Sequence, residues 1–180
     1  YGLLPLLLGL LLARHLPLGM GEAGQVSRLL AAKFGSFLTF GALRSGAESA
    51  PGQPTLSQLR DIYRLQTQST NTKVMGVIGN PISQSKSPVL HNISLEAAGL
   101  DACYVPLLVS DIRKFLSTPL FVSDSFTGFS VTIPHKESAV MCCEELDTVA
   151  KKIGAVNTLV RLPNGWRKDT NKPQKILYYA

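Results

Sequence analysis

Two rhythms of apolar residues alternate along this chain. Short apolar runs at residues 16–20 and 37–40 read as strands, and helical spacing at 26–32 and 54–65 reads as helices. In the second helix Pro54 suits the first position, and Leu56, Leu59, Ile62 and Tyr63 fall on one face. From 66 to 72 the periodicity gives way to Ser, Thr, Gln and Asn, the composition of a linker between domains. A second series then begins. Strands are expected at 74–78, 103–109, 129–133 and 156–161, and helices at 111–116, 136–146 and 148–152. A further helix opens at Ser87-Pro88, with the serine as cap and the proline in the first turn. Its Leu90, Ile93 and Ala97 share one face, and Gly99 ends it. Strands alternating with helices predict an α/β fold, an open and mostly parallel sheet with flanking helices. Two strand-helix units precede it.

Residues 1–15 stand apart. They hold an uncharged, leucine-rich run of about a dozen residues, short of the ~20 that span a bilayer, with no basic stretch ahead of it and no small-x-small cleavage pattern behind it. The segment is left unassigned, and no transit peptide is visible. The net charge of +6 comes from Lys and Arg scattered singly, which argues against nucleic acid and leaves a mild field favouring anionic substrates. Neither the three cysteines nor His15, His91 and His135 have metal-ligand spacing, so no metal is expected.

Three constellations carry chemistry. In Gly-Asn-Pro-Ile-Ser-Gln-Ser-Lys-Ser-Pro, residues 79–88, the chain turns after a strand and presents Ser85 and Ser87 at the mouth of a helix, whose dipole favours a carboxylate. In Ser-Val-Thr-Ile-Pro-His-Lys, residues 130–136, strand alternation puts Thr132 and Pro134 on one side, and Lys136 lands in the first turn of the next helix. In Gly-Ala-Val-Asn-Thr, residues 154–158, Asn157 offers an amide that both donates and accepts, suited to a ring hydroxyl. Such a set fits a hydroxylated ring acid.

In order and spacing these motifs resemble the substrate-binding half of the shikimate dehydrogenase family, over residues 73–162. The resemblance implies that Ser85 and Ser87 hold the substrate carboxylate, that Thr132 and Asn157 contact the ring, and that Lys136 is the catalytic lysine. It also implies reversible, NADP-dependent reduction of 3-dehydroshikimate to shikimate. The likeness stops after Arg161. Asp169 stands in a reversed Asp-Thr-Asn order and is not assigned the family's catalytic aspartate role, and residues 163–180 read as a divergent tail. No Gly-x-Gly-x-x-Gly loop is read as a pyrophosphate cradle, so the nucleotide-binding domain is expected to be absent from this chain.

Residues 16–66 carry a second resemblance. Met-Gly-Glu-Ala-Gly-Gln-Val-Ser-Arg, residues 20–28, then Leu-Thr-Phe-Gly, then Ser-Ala-Pro-Gly-Gln, residues 49–53, look like the last two strand-helix units of a type I 3-dehydroquinate dehydratase, a TIM-type barrel. That match implies a carboxylate-binding role for Arg28 and a substrate-contacting loop carrying Ser49 and Gln53. With residues 67–72 as linker, the order is that of plant-type bifunctional enzymes of the shikimate pathway. A piece of such an enzyme, with a plastid location and partners limited to small-molecule substrate and the remainder of the same polypeptide, is the expectation; neither nucleic acid nor membrane is. The alternative is a non-catalytic shikimate-binding module or an inactive truncated product.

Overall fold

The computed structural model describes residues 19–118, 125–143, 146–161 and 176–177. Its centre is a sheet of five strands: β1 (Lys73–Gly79), β2 (Ala102–Leu108), β3 (Phe126–Val131), β4 (Thr158–Arg161) and β5 (Ile176–Leu177). They lie in the order β2-β1-β3-β4-β5. β1 pairs in parallel with β2 and β3, whereas β4 runs antiparallel to β3 and β5 antiparallel to β4. The sheet is therefore open and mostly parallel in its first three strands, as the alternation predicts. β1 is the middle of the three parallel strands, and Val74 and Ile78 are fully buried there, as parallel strands covered on both faces require. The last strand falls within the expected tail.

Among the described residues five α-helices accompany the sheet: α1 (Gly21–Leu29), α2 (Ser87–Ala97), α3 (Ile112–Leu116), α4 (Lys136–Val140) and α5 (Thr148–Ile153). Local signals account for several ends. Asp111 accepts from the amides of Arg113 and Lys114, and Asp147 from those of Val149 and Ala150, satisfying the free N–H groups of a first turn. Gly99 and Gly154 follow α2 and α5 at φ 65° and 73°, a region that favours glycine. One continuous core joins Val26, Leu29, Leu30, Leu59 and Tyr63 of the first half to Val74, Ile78, Val105 and Leu107 of the sheet.

Several expectations need correction. Residues 37–40 form no strand; Phe37 is 100% exposed, and the only ladder contact nearby is an isolated bridge between Ala42 and Thr55. An apolar run without neighbouring strands has no partners for its amides. The expected strand at 16–20 is irregular at Gly19 and Met20, and residues 16–18 lie outside the described residues, as do 1–15. The helix expected at 54–65 begins after Thr55, because Thr55 and Gln58 form a reciprocal capping box, the Gln58 carboxamide accepting from Thr55 N and the Thr55 hydroxyl from Gln58 N. Pro54 therefore precedes the cap. The helix widens into a π-turn at Gln58–Ile62, where Tyr63 N bonds to Gln58 O, and then breaks at Arg64, whose φ is 48°.

Ser87 does not cap α2. Lys86 precedes the helix, and the Ser85 hydroxyl accepts from Ser87 N at 3.3 Å. The face of Leu90, Ile93 and Ala97 turns to solvent, with Leu90 65% and Ile93 56% exposed, while Pro88, Asn92 and Leu95 face inward. Strand β3 ends at Val131 rather than 133, since Pro134 has no N–H to donate and disfavours continuation at Ile133. The alternation placing Thr132 with Pro134 thus does not hold. Helix α4 stops at Val140, where bonds from Cys142 N to Ala139 O and Cys143 N to Val140 O tighten the last turn.

The segment 66–72 is short of regular structure yet firmly attached. Gln68 Nε2 donates to the carbonyls of Leu29 and Tyr63, Lys33 Nζ to that of Thr70, and the Thr72 hydroxyl to Asp101.

Candidate functional site

The C-terminal edge of β1 and β3 gathers the first candidate site. Gly79 closes β1, and a Cβ there would collide with Thr132 Cγ2 and stand 3.0 Å from Ile82 Cδ1, so only glycine lets the two loops touch. Thr132 N donates to Ile78 O and Asn80 N to Ile133 O, which sews the loops together. The peptides Asn80–Pro81 and Ile133–Pro134 are cis. Asn157 joins from the residue just ahead of β4: its carbonyl accepts from Val131 N at 2.6 Å, one residue from Thr132. Lys136, the first residue of α4, accepts through its carbonyl from Val156 N, one residue from Asn157. Asn157 is therefore tied to the Thr132–Lys136 segment through backbone bonds of the adjoining Val131 and Val156, although it lies more than twenty residues further along the chain.

Their functional groups are available. Lys136 is exposed, and its ammonium makes no ion pair or hydrogen bond among the described residues. The Asn157 Oδ1 accepts from the Thr158 hydroxyl at 2.8 Å, which leaves the amide hydrogens of Asn157 free to donate. Ser85 and Ser87 sit half-buried at the start of α2, linked by the Ser87 N to Ser85 Oγ bond. Hydroxyls at a helix start, a cation, and an amide on one sheet edge can together grip a small hydroxylated carboxylate.

Behind this edge lies a polar brace that motif reading missed. Asn92 is buried and bonds three ways, Nδ2 to the carbonyls of Pro88 and Tyr104 and Oδ1 from Tyr104 N. That pins α2, and with it Ser87, to β2. The Tyr104 hydroxyl donates to Ser130 Oγ at 2.7 Å, and the His91 ring stacks on Tyr104 at 4.3 Å. Burial pushes the Tyr104 phenol above its ordinary pKa, partly offset by that hydrogen bond. His135, weighed in the sequence only as a metal ligand, is buried with Nε2 2.6 Å from Val109 O. A carbonyl only accepts, so Nε2 carries the hydrogen and the ring is a strut between the Thr132–Lys136 loop and the end of β2. The one available signal was its place between Thr132 and Lys136. All three cysteines are free thiols, and burial pushes that of Cys103 up to about 12.

The second candidate site lies in the first half. Ser49 and Gln53 are brought together: Gln53 Oε1 accepts from both the amide and the hydroxyl of Ser49, at 2.8 and 3.0 Å. With Glu48, Ala50, Pro51 and Gly52 they line an open hollow. Gly21 N donates to Pro51 O, which sets this loop against the start of α1. Arg28 lies about two turns further along α1 and is only 4% exposed. Its Nη2 reaches Met20 Sδ at 3.7 Å, while its buried Nε has no partner. No hydrogen bond joins Arg28 to Ser49 or Gln53 among the described residues. A buried guanidinium with an unspent donor is suited to a carboxylate.

One glycine pattern escaped the sequence reading. Gly19, Gly21 and Gly24 have Gly-x-Gly-x-x-Gly spacing at the start of α1. Gly24 serves packing, since a Cβ there would collide with the backbone of Gly19. The pattern does not make a pyrophosphate cradle: Gly21 N is spent on Pro51 O, and Glu22 sets a carboxylate at the helix mouth. Asp169 lies outside the described residues. Among the described residues no helix is long and apolar enough to cross a membrane, and no cluster of three or more His, Cys, Asp or Glu side chains could hold a metal ion.

Comparison with known proteins follows this division. Residues 77–159 match the model of the shikimate dehydrogenase substrate binding domain, and residues 15–70 that of type I 3-dehydroquinase. A chloroplastic bifunctional 3-dehydroquinate dehydratase/shikimate dehydrogenase of Arabidopsis thaliana is 51% identical over 142 residues, covering 79% of this chain and 23% of that protein. An NADP(+) shikimate dehydrogenase of Nostoc is 42% identical over 95 residues, covering 53% of this chain and 33% of the relative. A shikimate dehydrogenase crystallised with NADP+ superposes with a TM-score of 0.51 at 33% identity, over 61% of this chain and 35% of that one. The chain thus spans about a quarter to a third of the length of these relatives.

Proposed function

We propose, on the premise that this chain resembles, half by half and in order, a bifunctional 3-dehydroquinate dehydratase/shikimate dehydrogenase, that it carries the junction of such an enzyme. Its second half binds shikimate and 3-dehydroshikimate for their NADP-dependent interconversion, and its first half contributes the closing end of the 3-dehydroquinate dehydratase. The observation that carries this reading is the convergence of Thr132, Lys136 and Asn157 through the bonds of Val131 to Asn157 and Val156 to Lys136.

The roles follow the chemistry of each group. Ser85 and Ser87 hold the carboxylate, and Thr132 and Asn157 hold ring hydroxyls. Lys136 presents its side-chain amine beside the oxygen that gains or loses its proton, giving or taking that proton. Arg28, Ser49 and Gln53 contact 3-dehydroquinate in the same manner, carboxylate to guanidinium and hydroxyls to Ser49 and Gln53. NADP supplies or accepts the hydride when bound. The residues described here include no pyrophosphate cradle, so what this chain itself supplies is the substrate side. The domain division at 16–66, 67–72 and 73–162 belongs to this reading. A plastid location is proposed on the Arabidopsis relative, whose name places it in the chloroplast.

Calorimetric titration of the chain with shikimate tests the proposal. Saturable binding is expected, weakened about tenfold by Thr132→Ala and by Asn157→Ala, as the loss of one hydrogen bond each implies. Absence of binding, or binding indifferent to both substitutions, overturns it. Joining the chain to a shikimate dehydrogenase nucleotide-binding domain and supplying shikimate and NADP+ separates the alternative of a binding module without turnover, for which no NADPH absorbance develops.

A further inference from the structure

Residues Gly21 and Glu22 stand between the two candidate substrate loops. On one side the loop 49–53 is pressed against them. Gly21 N donates to Pro51 O at 3.0 Å, and Gly52, at φ 74°, lies so close that a Cβ would collide with Gly21 O and stand 3.0 Å from Glu22 N. On the other side Glu22 reaches across 60 residues of sequence. Its Oε1 accepts from Ser83 N at 2.7 Å and from Ile82 N at 3.3 Å. Those amides open the turn that Ser85 N closes on Ile82 O, directly ahead of Ser85 and Ser87. The Ile82 side chain is buried in a second apolar cluster with Val77, Leu95 and Tyr104, so the turn is held from below by packing and from above by a carboxylate.

We propose that Glu22 is a positioning residue for the carboxylate-binding loop of the second half. Its carboxylate, bonded to two adjacent amides, holds the 82–85 turn in the shape that presents Ser85 and Ser87 to substrate. Because the same two-residue bridge abuts loop 49–53, the backbone of one substrate loop is mechanically continuous with the other. The bridge itself rests on the hydrogen bonds; its consequence for shikimate rests on the function proposed above. Charge matters as well as geometry, because hydrogen bonds to an ionised acceptor are about twice as strong as those to a neutral one.

Amide hydrogen exchange resolved at single residues, measured on the 180-residue chain, tests the bridge without any ligand. In Glu22→Ala the protection of Ile82 and Ser83 is expected to fall about tenfold, with β1 and β2 unchanged; Glu22→Gln, which still accepts but carries no charge, falls between. Gly52→Ala, which forces the bridge to shift from the other side, lowers the same two amides by a smaller factor. Shikimate titration of the same variants should show affinity about fivefold weaker for Glu22→Ala and intermediate for Glu22→Gln. Unchanged exchange at 82–83 in Glu22→Ala overturns the bridge, and changed exchange with unchanged shikimate affinity overturns the positioning role. If the unsubstituted chain binds no shikimate, the dehydrogenase reading fails and the positioning role with it, while the bridge is still judged by exchange.

Discussion

Residues 37–40 and residues 74–78 are alike when read along the chain, and they end in opposite circumstances. Both are short apolar runs between polar stretches. The second lies between β2 and β3, bonded on both sides, with Val74 and Ile78 fully buried. The first leaves Phe37, Leu38 and Phe40 in solvent, beside a single bridge at Ala42. Composition does not separate them; neighbours do. A strand completes its hydrogen bonds on other strands, and without them its apolar side chains gain little by being extended. A helix supplies its own partners. That is why α1, from the same half as the exposed run, folds as a helix and buries Val26 and Leu29 in the sheet's core.

This contrast makes a graded set of predictions. Ile78→Ala should cost about 4 kcal/mol in urea denaturation, because a fully buried side chain is truncated within a packed core. A cost below about 1 kcal/mol would mean that the sheet is no better packed than the exposed run. Asn92→Leu should follow, at about 3 kcal/mol, since it leaves the Tyr104 carbonyl and amide without their side-chain partner in a buried place.

Lys33 probes the attachment between the halves by pH. Burial, with Lys73 nearby, holds its ammonium below the ordinary value of 10.5, against a smaller opposing pull from Asp101. The folded chain therefore loses this proton first as pH rises. Between the depressed folded value and 10.5 the unfolded chain binds more protons, so stability rises with pH across that window. Lys33→Met removes the slope, so the difference in urea midpoint between the two proteins should shift steadily in favour of the unsubstituted chain as pH rises across the window. A constant gap would show that the Lys33 ammonium is not buried in the folded chain.

The smallest effect is expected where the run is exposed. Phe37→Ser should change stability by no more than about 0.5 kcal/mol while reducing self-association in sedimentation, because the ring is wholly in solvent. A large loss would mean that the run does find partners in solution.

Much of the candidate site was legible because its signals are local. Gly79 and the proline after Asn80 marked a turn, Ser85 and Ser87 marked a helix start, and Lys136 opened the helix after the third strand. What failed was the detail of which atoms act: Ser87 caps nothing with its side chain and instead donates its amide to the Ser85 hydroxyl, and Ile133 leaves the strand it was assigned to. Glu22 and Asn92 were illegible, since nothing beside either in the chain announces partners at Ser83 or Tyr104.

The sequence by itself determined the α/β character of the chain, the caps at Asp111 and Asp147, the stops at Gly99 and Gly154, and the order of the motifs. Each of those depends on contacts within a turn or two of chain. Only the tertiary structure decided which apolar runs become strands, which face of α2 is buried, and how Thr132, Lys136 and Asn157 meet. Those outcomes depend on hydrogen bonds and packing between residues tens of positions apart, and no local pattern encodes a partner that far away.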